Sequence, residues 1–168
     1  MTPTVEERLA ALEADREIRR TLYSYGHAVD YGWEDQYADC FTADATLYWP
    51  GQELMRGLEQ IMAAFRDHTH APAAYHKHFL AEPLMNVTGG RAQVQSMFAR
   101  LDSYQAGPGI CAFGRYTDVL VSCPDGRWRF ADRHADIESW RHGTAPVLDA
   151  RFRQARWHTW PPPVVPSG

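Results

Sequence analysis

Residues 77–95 read KHFLAEPLMNVTGGRAQVQ, and this stretch decides the fold. Before Pro72 the apolar residues recur mostly at helical spacing, whereas from this stretch onward the pattern is that of extended chain. The Gly89-Gly90 pair is a hairpin signal between two such segments. The sequence therefore predicts helices followed by an antiparallel meander, which is typical of an α+β fold rather than an α/β fold.

The meander is predicted to contain four long strands. A hairpin signal at Pro124-Asp125-Gly126 and a looser connection at Gly107-Pro108-Gly109 separate the later segments. Strands of this length usually belong to a strongly curved sheet. The four predicted segments are Tyr75–Val87, Arg91–Gln105, Ile110–Ser122 and Trp128–Trp140.

Three helices and a short strand are expected before the meander. Thr4 and Glu7 have the spacing of a capping box, and the helix that they begin is predicted to end near Tyr31-Gly32. Its apolar positions are Leu9, Leu12, Ile18, Leu22, Tyr25 and Val29. A short second helix is expected next, with an apolar side formed by Trp33, Tyr37, Cys40 and Phe41. It is followed by a predicted strand at Ala45–Trp49 and a third helix at Leu58–Asp67.

Composition restricts the class of protein. The chain has 168 residues, 45% of them apolar, which suits one domain with a real core. A net charge of −4 without a basic stripe argues against nucleic-acid binding, and no apolar run is long enough to span a membrane. Three cysteines without CxxC spacing argue against a disulfide framework or a zinc ribbon. We expect a cytoplasmic protein with one domain over residues 1–145 and a C-terminal segment, 146–168, whose Pro161-Pro162-Pro163 run lies extended.

Asp30 is the first candidate for chemistry. Tyr23, His27 and Asp30 lie at positions i, i+4 and i+7 of the first helix, so they share one stripe. Asp30 borders the buried face at the C-terminal end of the helix, where the helix dipole disfavours a carboxylate. The position therefore requires a compensating partner. A cap on a turn or a pair with a surface arginine is the alternative role.

Four histidines between residues 68 and 78 are the second candidate. His76 and His78 share one strand face, because strand side chains alternate. Such a pair can supply two ligands to zinc, iron or copper, with His134 or Asp30 as the third, so a metal site is one interpretation. His68 and His70 fall where the third helix ends, and a solvated helix end is their ordinary role.

The quoted stretch resembles the pattern His-Phe-x-x-Asn-Pro-x-x-x-Val-x-Gly-x-x-Ala of SnoaL-like proteins, in the nuclear-transport-factor-two-like superfamily. GRYTD at 114–118 and GRWRFADR at 126–133 follow in the family's order, so that the resemblance covers about Asp15 to Trp140. Within the superfamily the chain looks most like scytalone dehydratase, bile-acid 7α-dehydratase and hexachlorocyclohexane dehydrochlorinase. The resemblance implies a cone-shaped α+β barrel, in which a curved antiparallel sheet wraps around N-terminal helices and leaves a pocket open at one end.

The resemblance also implies the site. Asp30 and His78 match the acid–base dyad of the lyase members, in which the carboxylate orients a neutral imidazole that removes a proton from carbon. Neither a cofactor nor a metal is required for such chemistry. The resemblance further implies a set of pocket residues that bind the substrate, although each has an ordinary structural role as well. These residues are Tyr25, Tyr48, Arg133, Arg115 and Thr117.

Two positions depart from the relatives. Scytalone dehydratase has a second active-site histidine on the strand after the His-Phe strand, whereas residues 96–104 read SMFARLDSY here. Arg100 or Asp102 lies nearest to that position. Glu82 stands where the wider family usually has asparagine.

The sequence leaves three functions open. The first is a cofactor-free lyase that eliminates water or another small group from a small hydrophobic cyclic substrate. The second is an isomerase or polyketide-type cyclase with the same dyad, and the third is a non-catalytic subunit for ligand binding or assembly. The resemblance also implies a homo-oligomer, with a trimer favoured over a dimer.

Overall fold

The structure, a computed structural model, describes residues 2–104, 107–142 and 145–147. Its helices are α1 (Val5–Tyr31), α2 (Glu34–Asp39) and α3 (Gly57–Asp67). Its strands are β1 (Phe41–Tyr48), β2 (Met55–Arg56), β3 (His76–Thr88), β4 (Arg91–Tyr104), β5 (Gly107–Ser122), β6 (Trp128–His142) and β7 (Ala145–Val147). The predicted α+β fold is confirmed. The Pro-rich run lies outside the described residues, and the expected domain boundary stays a prediction.

Helix α1 begins and ends where the sequence predicts. Thr4 and Glu7 form both hydrogen bonds of the capping box, and Gly32 ends the helix with a φ of 71°, which glycine adopts without strain. Its inward stripe runs from Ala14 to Asp30. The expectation that Leu9 and Leu12 belong to this stripe is wrong, because both side chains are more than half exposed.

The second helix is shorter than its apolar pattern indicates. Phe41 is the first residue of β1 rather than the end of α2, and Trp33 precedes the helix with its side chain nearly half exposed. Tyr37 and Cys40 are buried as expected. Strand β1 therefore begins four residues earlier than predicted.

The strands form one curved, unclosed sheet in the order β2-β1-β6-β5-β4-β3, with β7 beside β6. The predicted meander β3–β6 is antiparallel throughout. The sheet as a whole is mixed, because β1 joins β6 in the parallel direction. The Gly107–Gly109 segment, predicted as a loose connection, is the start of β5 and pairs with the end of β4.

Bulges bend the long strands. The β3–β4 register shifts between Ala81 and Leu84, and similar shifts occur in the β4–β5 and β5–β6 pairs. An extra residue on one strand increases its local bend and twist. Glu82 lies inside the β3 bulge with a φ of 47°. This left-handed conformation suits asparagine better than glutamate, which explains the asparagine expected at this position from the resemblance.

The concave face of the sheet holds the core together with the inward faces of the helices. Ile18, Leu22 and Val29 of α1 pack over this face, and Ile61 and Phe65 of α3 close one side. Strand β3 is the outer edge of the sheet and also contacts α1. Within the described parts of the chain, no helix has the length and apolarity needed to cross a bilayer.

Candidate active site

Asp30 and His78 meet where the end of α1 crosses the edge strand β3. The His78 Nδ1 lies 2.7 Å from Asp30 Oδ1, and the His78 backbone N–H donates to Asp30 Oδ2 at 3.0 Å. Asp30 is buried, and His78 is mostly buried. Both carboxylate oxygens are thus satisfied by one residue, which supplies the partner that an acidic group at a helix C-terminus requires.

The contact fixes which ring nitrogen of His78 holds the proton. Burial works to raise the pKa of Asp30, but the side-chain and backbone hydrogen bonds from His78 outweigh burial and lower the pKa below its ordinary value. Asp30 is therefore an ionised acceptor at neutral pH, and Nδ1 must donate to it. Nε2 of the neutral ring then has no proton, and this is the form in which an imidazole accepts one.

His76 is the third member of this cluster. Its Nε2 lies 3.6 Å from Asp30 Oδ1 and has no hydrogen-bond partner among the described residues. The ligand atoms of Asp30, His76 and His78 all lie within 4.8 Å of one another, and two imidazoles with a carboxylate suit a transition metal. His134, the other proposed third ligand, lies elsewhere and contacts Tyr48 and Asp136.

A cavity of about 190 Å³ opens in front of His78. Asp30 lies behind the imidazole and does not line the cavity. The apolar part of the wall includes Val29, Phe98, Ala112, Ala135, Ile137 and Trp140, and the polar part includes Gln52, His68, His78 and Arg100. Cavities of about 150 Å³ hold benzene, so this one suits a molecule of one or two rings. A larger groove between α1 and α2 is open to solvent and lacks the dyad.

His68 and His70 are not a solvated helix end, and that expectation is wrong. His68 lines the cavity, and its ring lies 5.2 Å from that of His76. The two ring nitrogens of His70 lie 2.6 and 2.8 Å from the carbonyl oxygens of Val29 and Phe65. Ala71 donates its N–H to the Asp30 carbonyl. The loop after α3 is thus tied to the end of α1, where helix carbonyls lack partners.

Tyr25 is the one residue of the expected substrate-binding set that lines the cavity. Its hydroxyl accepts a hydrogen bond from Trp49 Nε1 at 2.9 Å. Arg133 lies deeper on the inward face of β6, fully buried, where its guanidinium stacks about 4 Å from the rings of Tyr25 and Tyr116 and donates to Asp118. Arg133 therefore supports the cavity wall from behind rather than lining it.

Tyr48, Arg115 and Thr117 also lie off the cavity wall. Strand alternation is the reason, because Leu47 and Tyr116 face inward and place their neighbours on the other side. The Tyr48 ring stacks on His134, Arg115 donates to Glu138, and Thr117 is fully buried. Direct substrate contact by these three, as the resemblance implied, has no support in their positions.

Several wall residues were not assigned to the site from the sequence, although Arg100 was one of the two residues placed nearest to the position of the relative's second histidine. Phe98 and Arg100 are placed by alternation along β4 once the β3–β4 register is known, because Arg100 pairs with His78. Trp49 and Gln52 come from the β1–β2 connection, which has no motif. To predict the wall residues of β4 and β5, one must know the strand register across a bulged sheet, which the sequence alone does not provide.

Comparison with known proteins agrees with this architecture. The family model of the SnoaL-like domain matches residues 10–134. None of the curated proteins matches the sequence significantly.

Solved structures extend the similarity. An NTF2-like protein with a cystatin-like fold from Novosphingobium aromaticivorans superposes with a TM-score of 0.72 at 22% identity, over 80% of this chain and 90% of that one. A Mycobacterium tuberculosis protein of unknown function has a TM-score of 0.66 at 25% identity, over 74% and 76%. A Novosphingobium aromaticivorans protein named as a candidate scytalone dehydratase has a TM-score of 0.65 at 18% identity, over 83% and 89%.

The buried histidines predict how stability depends on pH. Burial, followed by the charge of His76, lowers the pKa of His68 from 6.5 to about 4. The unfolded chain therefore binds a proton at this position below pH 6.5 while the folded protein does not, so stability falls as the pH drops from 6.5 towards 4. We expect His68→Asn to reduce this acid-induced loss of unfolding free energy by roughly 1–2 kcal/mol, allowing for partial solvent screening.

Urea unfolding at pH 7 and at several lower pH values measures the effect. His27→Asn is the matched control, because His27 is exposed and away from the cavity. A pH dependence that is the same in His68→Asn and the wild type would contradict the prediction.

Proposed function

Because the chain belongs to the SnoaL-like family, whose members are often enzymes, we propose that it is a cofactor-free lyase that eliminates water or another small group from a small hydrophobic cyclic substrate. The observation that carries this proposal is the Asp30–His78 contact at the cavity wall. It leaves a proton-accepting nitrogen on a ring that lines an otherwise largely apolar cavity.

The geometry suits proton transfer. Asp30 holds the His78 ring through Nδ1 and stabilises the imidazolium that forms when Nε2 takes a proton from carbon. The same imidazolium then protonates the departing hydroxyl, so that His78 acts first as base and then as acid. Aromatic and aliphatic side chains in the wall offer flat apolar surfaces to a ring, which favours a cyclic substrate.

Isomerisation and cyclisation use the same first step. In both, the proton that His78 removes returns to a different atom, and no water is lost. Product mass separates the classes, because elimination lowers the mass of the substrate by that of the leaving group. A purely non-catalytic role is disfavoured, since it gives no reason for the imidazole that Asp30 orients to line the cavity.

A metal-dependent reaction is the second candidate, favoured by the close approach of Asp30, His76 and His78. A bound metal would take up lone pairs that the Asp30–His78 hydrogen bond uses in the dyad. Turnover that survives chelation supports the dyad, and turnover that chelation abolishes and zinc restores supports the metal.

We also propose that the chain forms a homotrimer through the outer face of the sheet. Phe79, Met97, Ile110 and Phe113 are each about half exposed on β3, β4 and β5. Ala99 pairs with both Phe79 and Phe113, so these two rings lie on either side of it on the same face. A contiguous apolar patch of this kind requires a cover, and the sheets of two further copies around a threefold axis supply one.

Loss of the base tests the lyase proposal. We expect His78→Ala to reduce kcat by about 10²–10⁴-fold with a smaller change in KM, because proton transfer is lost while the cavity persists. His78→Asn, which keeps a donor for Asp30, provides a second variant if the first is unstable. The assay follows deuterium exchange at carbon by NMR, and enone formation by absorbance, with a panel of one- and two-ring β-hydroxy ketones.

His27→Ala is the control, since His27 is exposed on the solvent side of α1. Circular dichroism verifies that each variant is folded. Full turnover by either His78 variant would overturn the assignment.

Charge on the outer face tests the trimer. We expect Phe113→Glu to reduce the sedimenting mass to that of one chain, because a buried carboxylate would face each partner. Leu9→Glu, at an exposed position on α1, is expected to leave the mass unchanged. A wild-type chain that sediments as a monomer or as a dimer would contradict the proposal.

A further inference from the structure

One row of side chains crosses four strands at the cavity. His78 on β3 pairs with Arg100 on β4, Arg100 pairs with Ala112 on β5, and Ala112 pairs with Trp140 on β6. All four residues line the cavity. Neighbours in such a row have Cβ atoms about 5 Å apart, so the guanidinium and the imidazole are adjacent. The small Ala112 leaves room beside Arg100 for a flat ring that rests against Trp140.

Asp102 holds Arg100 in place. The Nε of Arg100 donates to Asp102 Oδ1 at 3.0 Å, and both side chains are about one-quarter exposed. The terminal nitrogens, Nη1 and Nη2, have no hydrogen-bond acceptor among the residues that the structure describes. Two N–H-bearing groups of a fixed guanidinium are therefore available to a ligand in the cavity.

Arg100 also sets the charge of the cavity. It is the one lysine or arginine among the described wall residues. Burial lowers the pKa of His76, and the positive charge of Arg100 is the next cause. The positive charge of Arg100 thus acts on the histidines of the site, and it favours a ligand atom that is negative or becomes negative during the reaction.

Proton removal by His78 creates such an atom. When carbon next to a carbonyl loses its proton, the C–H electrons form a C=C bond and the carbonyl π electrons move to oxygen. The resulting enolate oxygen is stabilised by preorganised donors in a site that excludes water. Arg100 is the neighbour of His78 in the row, so its side chain lies within reach of a substrate from which His78 removes a proton.

We propose that Arg100 binds the carbonyl oxygen of the substrate and stabilises it as an oxyanion, so that the substrate class is cyclic β-hydroxy ketones or related carbonyl compounds. This inference rests on the proposed role of His78. In the second step the oxyanion reforms C=O, the C=C electrons expel the β-hydroxyl, and the imidazolium gives it the proton. Water leaves, and His78 is neutral again.

A phenol that ionises near neutral pH tests the oxyanion site without turnover. 4-Nitrophenol is the probe, because its absorbance reports its ionisation, and 4-nitroanisole is the neutral counterpart of similar shape. We expect the wild type to bind the phenolate in preference to the anisole and to lower the pKa of the bound phenol. Arg100→Gln is expected to weaken phenolate binding by about 10–100-fold and to leave anisole binding unchanged, because a charge-assisted pair is lost.

Arg91→Gln, at the exposed start of the same strand, is the control and is expected to bind both probes as the wild type does. His78→Ala is expected to keep the preference for the phenolate. The inference is overturned if the wild type shows no such preference or if Arg100→Gln retains it. Failure of the dyad is detected separately, as deuterium exchange that persists in His78→Ala.

Discussion

The contact between Asp30 and His78 is the constraint on which the site depends. Helix α1 ends with an acidic group at the negative end of its dipole, and β3 is an edge strand with a backbone N–H that no neighbouring strand accepts. One Asp30 oxygen accepts a hydrogen bond from that N–H, and the other accepts one from the His78 imidazole. Because a buried charge without its partner costs about 3–5 kcal/mol, the contact fixes helix, strand and ring as one unit. His70 and Ala71 add the loop after α3 to this unit.

The curvature of the sheet turns this unit into a site. Bulges in β3, β5 and β6 bend the meander around α1, so that the inward positions of four strands converge on one cavity. Below it, Arg133 lies among the rings of Tyr25, Tyr116 and Phe130 with Asp118 as its ion-pair partner. This charged centre supports the aromatic wall, whereas Arg100, which lines the cavity and is about one-quarter exposed, keeps hydrogen-bonding capacity for a ligand. Arg133 is held inside the core by Asp118, whereas Asp102 engages only the Nε of Arg100, so the two arginines have different roles.

Local signals in the sequence predicted local structure well. The capping box, Gly32 and the Gly89-Gly90 hairpin depend on a few neighbouring residues, and each lies where expected. The Asp30–His78 pair was also predicted, through the resemblance, and the structure brings the two side chains together. The parallel pairing of β1 with β6 depends on contacts between distant segments, so spacing along the chain did not reveal it.

The pocket residues show where such reasoning stops. Tyr48, Arg115 and Thr117 were assigned to the substrate from the resemblance, but alternation turns them away from the cavity. His68 reaches the wall because the loop that follows it is tied to α1, and no motif indicates that tie. Glu82 adopts a left-handed backbone conformation, which a glutamate side chain does not predict. Each of these differences concerns the register or path of the chain, which a single sequence records weakly.

The tautomer of His78 tests the central claim most directly. Imidazole ¹⁵N NMR of the protein, at a pH where the His78 ring is neutral, distinguishes the two ring nitrogens by their chemical shifts. The structure predicts a proton on Nδ1, hydrogen-bonded to Asp30, and a bare Nε2 towards the cavity, with loss of this preference in Asp30→Asn. A proton on Nε2 with a bare Nδ1 would contradict the account, since the ring would then present no base to the cavity.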